Sequence, residues 1–358
     1  PLATVAKYSL KIIPQFTFGL RTNHLSLFLK YRTSAIDYSQ ISGITLVTMV
    51  ANINQSQMNN QIMRYWRKLI FNSLRLLLVA IAILFATSVY AGGIEPRWLA
   101  IKTIDVNIAG LAPVFEGYKI VQLTDLHARS GVMDRQQLAK VARLATQQQP
   151  DLIVLTGDYI TSGASNSEEI LANAFSQLQA KDGVVAIMGN HDRSEDSAPL
   201  ERAFDAGNVK LLNNAVYSIV GKSAPKTDSR TNLAQRRDLL NIAGVDDVWL
   251  RRADLSGTIA QLPKTGTNIL LAHEPDFGDT AAAYDRFALQ LSGHSHGGQI
   301  VLPFLPRVAP EWAKKYINGL YQLDNMQLYV SPGVGTTGPP KARFNCRPEI
   351  SVIVLHHT

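Results

Sequence analysis

The sequence predicts an α/β fold carried behind an N-terminal membrane helix, and three observations predict it. From about residue 99, short apolar runs of strand type alternate with amphipathic helical stretches. Motifs rich in Asp, Asn, His and Gly close several of those runs. Ahead of this body lies an uncharged run from Leu76 to Ile94. A chain of 358 residues suits one large α/β domain with additions.

Composition bounds what the body does. Hydrophobic residues make up 46% and charged residues 18%, a balance suited to a globular body with a membrane-like attachment. The net charge of +7 is unevenly spread. Residues 1–75 carry nine Lys/Arg against one acid, Asp37, which leaves 26 basic and 27 acidic residues in 76–358. A body so near neutrality lacks the basic excess that a phosphate backbone demands, so no nucleic-acid partner is expected. Cys346 is the single cysteine, which excludes an intrachain disulfide. The sequence sets no oligomeric state.

Taken in order, residues 1–63 form a poorly defined N-terminal segment. Within it, 1–57 show no sustained periodicity and read as a gene-model extension ahead of Met58 or Met63 or a poorly ordered tail, or else as an interfacial segment. Residues 64–94 form a basic flank and an apolar span. Arg64, Arg67, Lys68 and Arg75 precede nineteen uncharged residues, and about twenty are needed to cross a bilayer as a helix. The one-sided flank keeps 64–75 in the cytoplasm and sends the body to the periplasmic side of a bacterial inner membrane. Val89-Tyr90-Ala91 has the small-residue pattern of a signal-peptidase site, so a cleaved signal stands beside an anchor. The length of the run favours the anchor.

Residues 95–358 form the body. Residues 118–124, 151–156 and 184–188 read as buried strands, with helices over 134–149 and 167–180 between them. Further strands are expected at 268–272, 287–292, 326–331 and 350–355.

Five of the eight histidines fall in the motifs that end these runs. The motifs are Thr124-Asp125-Leu126-His127, Gly189-Asn190-His191-Asp192, Ala272-His273-Glu274 and Gly293-His294-Ser295-His296-Gly297, and Gly157-Asp158 adds a carboxylate. Imidazole nitrogen and carboxylate oxygen are ligands of Mn, Fe, Zn and similar ions, so the set points to a divalent metal site. An isolated Asp-x-His is weak evidence; the whole series, each at the end of an apolar run, is not. Open α/β sheets place sites at the carboxyl ends of their strands, where loops converge on a rigid frame.

Asp-x-His, Gly-Asp, Gly-Asn-His-Asp, a separate His and Gly-His-x-His, in this order, resemble the calcineurin-like metallophosphoesterase superfamily over about 118–300. Gly-His-Ser-His-Gly-Gly-Gln and the closing 335–350 stretch extend the resemblance from about 94 to the C-terminus. The branch they resemble consists of small bacterial membrane-anchored phosphodiesterases related to lipid-linked UDP-diacylglucosamine pyrophosphatases. The resemblance implies a four-layer αββα sandwich over 95–358 and two divalent ions, Mn, Fe, Zn or similar. By the same resemblance Asp125, His127, Asp158 and His296 would hold one ion. Asp158, Asn190, His273 and His294 would hold the other, with Asp158 bridging. His191 would contact substrate and donate a proton while Asp192 orients it, making these two the catalytic pair. The implied reaction is hydrolysis of a phosphodiester or pyrophosphate by a metal-bridging hydroxide. One position departs from the pattern. The family often continues Gly-Asp-x-x-Asp, whereas this chain has Thr161, which predicts a tuned site that keeps its metal.

Arg343 and Arg347 are candidate substrate-binding groups, because guanidinium forks hold phosphate in bidentate fashion; plain surface charge is the alternative. The basic 221–237 stretch reads as a solvated loop. The Pro-rich 303–310 segment, with Trp312 and Tyr316, would cap the site, touch lipid or pack as a loop. The expected partners are a phosphate-ester substrate, lipid-linked in one reading, and the membrane. A UDP-diacylglucosamine pyrophosphatase of lipid A synthesis would explain a tether but needs a cytosolic site, against the topology above. A non-catalytic metal-binding membrane scaffold would be marked by a lost ligand, and none of the seven is missing.

Overall fold

The computed structural model describes residues 43–128, 131–161, 167–193, 196–221 and 238–358. Residues 1–42 and nearly all of the expected 221–237 loop lie outside the described residues. The chain divides into two units between Val79 and Ala80. Helix α1 spans Gly43–Val89 and so takes in residues 43–57, where the sequence shows no sustained periodicity. They contain no proline, and Leu, Met, Ala and Gln among them favour helix. Among the described residues this is the one helix long and apolar enough to cross a membrane, and its apolar window is 0% buried. Gly92, Gly93 and Pro96 end it, through a π turn at Tyr90–Ile94 and a 3-10 turn at Glu95–Arg97.

The body alternates strand and helix. Strand β1 is Ala100–Ile108 and β2 is Tyr118–Leu123; α2 (Arg135–Gln147) leads to β3 (Leu152–Thr156) and α3 (Ser167–Phe175) to β4 (Val184–Ile187). Then come α4 (Asn190–Arg193), α5 (Ala198–Ala206), β5 (Val209–Leu211), β6 (Ala215–Val220), β7 (Leu239–Gly244) and α6 (Leu255–Ala260). The chain closes with β8 (Thr267–Leu271), α7 (Gly278–Ala282), β9 (Leu289–Ser292), β10 (Gly319–Leu323), β11 (Met326–Val330) and β12 (Glu349–His357). Two six-stranded sheets result, ordered β1-β12-β2-β3-β4-β5 and β10-β11-β9-β8-β7-β6.

Strand residues point alternately to opposite faces, and here both faces are dry. Ile120, Leu152, Val154, Val185 and Ile187 of one sheet meet Leu240, Ile242, Ile269, Leu271 and Leu289 of the other. Their neighbours Val121, Leu123, Ile153, Leu155 and Ala186 face Leu138, Val141, Leu171 and Phe204 of α2, α3 and α5. On the far side Ala243, Leu270 and Leu328 pack with Leu255 of α6 and Ala281 of α7. The order is therefore helix, sheet, sheet, helix, the expected four-layer sandwich. Helix α2 starts where Asp134 accepts from Gln137 N at 2.9 Å, an N-cap of the usual kind. Helix α3 ends five residues before the expected 180, where Gln177 N and Leu178 N turn back to carbonyls three residues earlier. Strands β2 to β5 run parallel, as do β7, β8, β9 and β11. Their carboxyl ends carry the motifs.

Candidate metal centre

Asp125 and His127 follow β2, Asp158 follows β3, and Asn190 opens α4 just after β4. His273 follows β8, and His294 and His296 follow β9. Five of these side chains leave a backbone in the left-handed region: φ is 54° at Asp125, 44° at His127, 59° at Asp158, 65° at His294 and 50° at His296. Such conformations cost roughly 1–3 kcal/mol each and gather at functional sites. Close approach does the rest. A Cβ at Gly157 would lie 2.7 Å from His273 Nδ1, and one at Gly189 would lie 2.7 Å from Asp158 N.

Two buried groups result, Asp125–His127–His296 and Asp158–His273–His294, each with its ligand atoms within 4.8 Å of one another. His127 Nε2 lies 3.1 Å from His296 Nε2, and the latter lies 3.4 Å from Asp125 Oδ1. Such spacings suit atoms that share one ion about 2.1 Å from each. Asp158 Oδ2 stands between the groups, 3.6 Å from His127 Nε2 and 3.2 Å from His273 Nε2. Asn190 Oδ1 is buried there and finds no hydrogen-bond partner among the described residues, as an oxygen reserved for a cation would. These donors fit two divalent ions.

Backbone carbonyls set the tautomers, since a carbonyl can only accept. His127 Nδ1 donates to Ile160 O at 3.2 Å and His273 Nδ1 to Thr156 O at 2.7 Å, so both present Nε2 as a lone pair. His294 Nε2 donates to Glu311 O at 2.8 Å, which leaves Nδ1. Burial lowers the His127 imidazole to about 4 and that of His294 to about 3, so both stay neutral, as a ligand must. Burial pushes the Asp125 carboxyl up to about 7, an effect that a bound cation would reverse. Burial also opposes the charge of Asp158, but His273 and His127 outweigh it and hold the carboxylate well below its ordinary range. Thr161 explains the departure from Gly-Asp-x-x-Asp. Its Oγ1 lies 3.3 Å from His127 Nδ1, beside the Ile160 carbonyl that already orients the ring.

Three expected roles are corrected. Asp192 does not orient His191. Its buried carboxylate accepts from Asp158 N and Tyr159 N at 2.8 Å, Gly189 N at 2.9 Å and Ile160 N at 3.3 Å. It clamps the β3 and β4 loops together, since four converging N–H groups leave it no free edge. Arg343 is fully buried and is not among the residues that line the cleft at this site. It donates to the carbonyls of Gly335, Pro332, Gly333 and Cys346, because the N–H groups of a buried guanidinium must each find an acceptor. Arg347 donates to Trp98 O and Leu99 O and stacks 4.2 Å from the Trp98 ring, so it braces the start of the body.

His191 does sit at the site. Its ring meets that of His127 edge-on at 5.0 Å, its main-chain N donates to Asp158 Oδ1 at 3.1 Å, and it lines a cleft of about 600 Å³. Leu302, Leu305, Pro306 and Val308 form an apolar wall of this cleft, so the 303–310 segment borders the site. Trp249, which sequence reasoning missed, also lines it, 5.3 Å edge-on from His294. Its signal was faint: a Trp shortly after Asp246-Asp247 at the end of β7.

An αββα body with paired, buried Asp/His groups at one strand edge defines a dinuclear-type phosphoester hydrolase. The family profile of calcineurin-like phosphoesterases matches residues 118–298, and the chain belongs to that family of hydrolases acting on phosphoesters. It is 33% identical over 272 residues to the uncharacterized metallophosphoesterase YkuE of Bacillus subtilis, a match covering 75% of this chain and 90% of that one. It is 28% identical over 313 residues to the UDP-2,3-diacylglucosamine pyrophosphatase LpxG of Chlamydia trachomatis, covering 75% and 92%. With the phosphodiesterase YaeI of Escherichia coli it shares 28% identity over 266 residues, covering 73% and 90%.

Proposed function

We propose that the chain is a membrane-anchored phosphodiesterase whose two buried groups each hold a Mn, Fe or Zn ion. Asp125, His127, Asp158 and His296 serve one ion, and Asp158, Asn190, His273 and His294 the other. The observation that carries this is the placement of Asp158 Oδ2 within 3.6 Å of both His127 and His273. Bound ions would supply Lewis-acid polarisation of the phosphoryl oxygens and acidify a water. The remaining work falls to the chain. Ile160, Thr156 and Glu311 carbonyls hold three imidazoles in their ligating tautomers. His191 projects into the cleft, where it contacts a phosphoryl oxygen and gives a proton to the leaving oxygen. Among the described residues no Lys or Arg lines the cleft. That suits the single charge of a diester better than the double charge of a monoester.

The basic flank before the apolar run supports a single inner-membrane span with the body outside the cytoplasm. A lipid-linked pyrophosphate is the second reading, favoured by the apolar wall and by the likeness to LpxG. It requires the body on the cytosolic side, so protease protection of the body in spheroplasts separates the two. The primary test is hydrolysis of bis-p-nitrophenyl phosphate by the full chain, with and without Mn²⁺, beside the mono-ester and Asp158→Asn. Metal-dependent cleavage of the diester, lost in the variant, supports the proposal; metal-independent cleavage or an active variant refutes it.

A further inference from the structure

The loop beside the cleft is apolar and faces outward. Leu302, Phe304, Leu305 and Val308 are all exposed, Phe304 at 104% and Val308 at 80%, and Trp312 follows them. Phe304 holds φ at 66°, a left-handed conformation that a bulky aromatic rarely adopts, so the turn presents this ring at some cost. A soluble surface does not gather such side chains without a partner.

The identity of that partner follows from where the loop is anchored. The apolar helix gives way at Tyr90, and the residues after it are bolted to the 343–346 segment. The Tyr90 ring meets Phe344 edge-on at 6.2 Å, Ala91 O accepts from Arg343 N at 2.9 Å, and Glu95 accepts from Asn345 N and Cys346 N. Phe344 in turn donates to Gln299 O at 3.0 Å and accepts from Val301 N at 2.8 Å. One residue, Phe344, therefore joins the foot of the membrane helix to the root of the apolar loop. Aromatic residues at the end of a span mark the level of the lipid headgroups. Exposed Arg97, Arg307, Lys314, Lys341 and Arg347 belong to the same segments, and Glu311 is the one exposed acid in 302–317 and 335–347. That balance complements an anionic surface.

We propose that the 302–308 loop is a second membrane contact, inserting at the headgroup level of an anionic phospholipid bilayer and seating the mouth of the cleft against it. The chain thus touches the bilayer twice, through its helix and through this loop, and the cleft opens onto amphiphilic phosphoesters held in the membrane. The contact stands apart from the catalytic reading and is measurable without turnover.

The test uses the full chain in phosphatidylcholine–phosphatidylglycerol vesicles, with an environment-sensitive NBD label on Phe304→Cys in a Cys346→Ser background. Leu84→Cys, inside the apolar helix, and Tyr284→Cys, near the start of β9 at the opposite strand end, serve as references. Blue-shifted emission at 304, quenched by doxyl-labelled lipid and absent at 284, supports the contact. Water-like, unquenched emission at 304 while 84 is quenched overturns it. Phe304→Asp supplies the second readout. It should lower hydrolysis of dodecyl p-nitrophenyl phosphate in vesicles several-fold while leaving soluble bis-p-nitrophenyl phosphate unchanged, and Phe304→Leu should restore it. Equal vesicle activity in Phe304→Asp argues against the loop.

Discussion

Replacing Asp192 by Asn tests the clamp that holds the two central loops. The carboxylate is 0% exposed and accepts four main-chain N–H groups, from residues 158, 159, 160 and 189. Asn keeps the shape but turns one oxygen into an NH₂ donor facing N–H donors. Oδ2 serves Asp158 and Gly189, and Oδ1 serves Tyr159 and Ile160, so either amide orientation abandons two bonds. Hydrogen bonds to a charged group are worth about 1.5–3 kcal/mol each, so the loss of two is roughly 3–6 kcal/mol. At about 2–4 °C per kcal/mol for a body of this size, the melting temperature in detergent should fall by roughly 6–24 °C. Because the same loops carry Asp158 and Asn190, metal affinity should fall roughly 10–100-fold, the usual effect of lost supporting contacts. Differential scanning fluorimetry and metal analysis after graded chelation measure both. An Asp192→Asn protein with unchanged melting and two retained ions, yet lower turnover, would refute the clamp and restore the expected role of Asp192 on His191.

Arg343→Ala should lose about 2–5 kcal/mol of stability, since it strands four carbonyls in a dry site, while KM for the diester stays constant below the melting transition. A raised KM at unchanged stability would return Arg343 to the substrate. Gly189→Ala drives a methyl group into Asp158 and His273 and should release metal during gel filtration; full retention of two ions contradicts the packing. Thr161→Asp places a carboxylate beside His127 Nδ1 and should slow metal loss to EDTA roughly tenfold, whereas an unchanged half-life shows that the Ile160 carbonyl suffices. His356 hydrogen-bonds first to Glu116 and then to Asp105, which raises its imidazole above 6.5. This contribution is fully present below that ordinary value and fades as pH rises through the raised one. His356→Gln should therefore flatten the fall in melting temperature as pH rises above about 6.5, and an unaltered profile would remove the pair from the stability of the body.

Legible in the sequence were the α/β class, strands β2, β3, β4, β8, β9, β11 and β12, and the Asp and His residues that meet in the two buried groups. Those signals are local: an apolar run of five or six residues, a helical period, a Gly-rich polar motif at each strand end. Strands β1, β5, β6 and β10 escaped notice because they are the sheet edges, largely half-exposed and with weak runs, and buried β7 escaped it as well. Their pairing, such as β1 with β12 across the whole body, is non-local. The tertiary structure alone decided what Asp192, Arg343 and Arg347 do. A carboxylate or guanidinium has the same chemistry on paper whether it faces phosphate or main chain. Only the fold turns Asp192 toward four N–H groups and buries the Arg343 fork among carbonyls. It also placed Trp249 and the 302–308 loop at the mouth of the cleft, because residues scattered along the chain become neighbours only when parallel strands end at one edge.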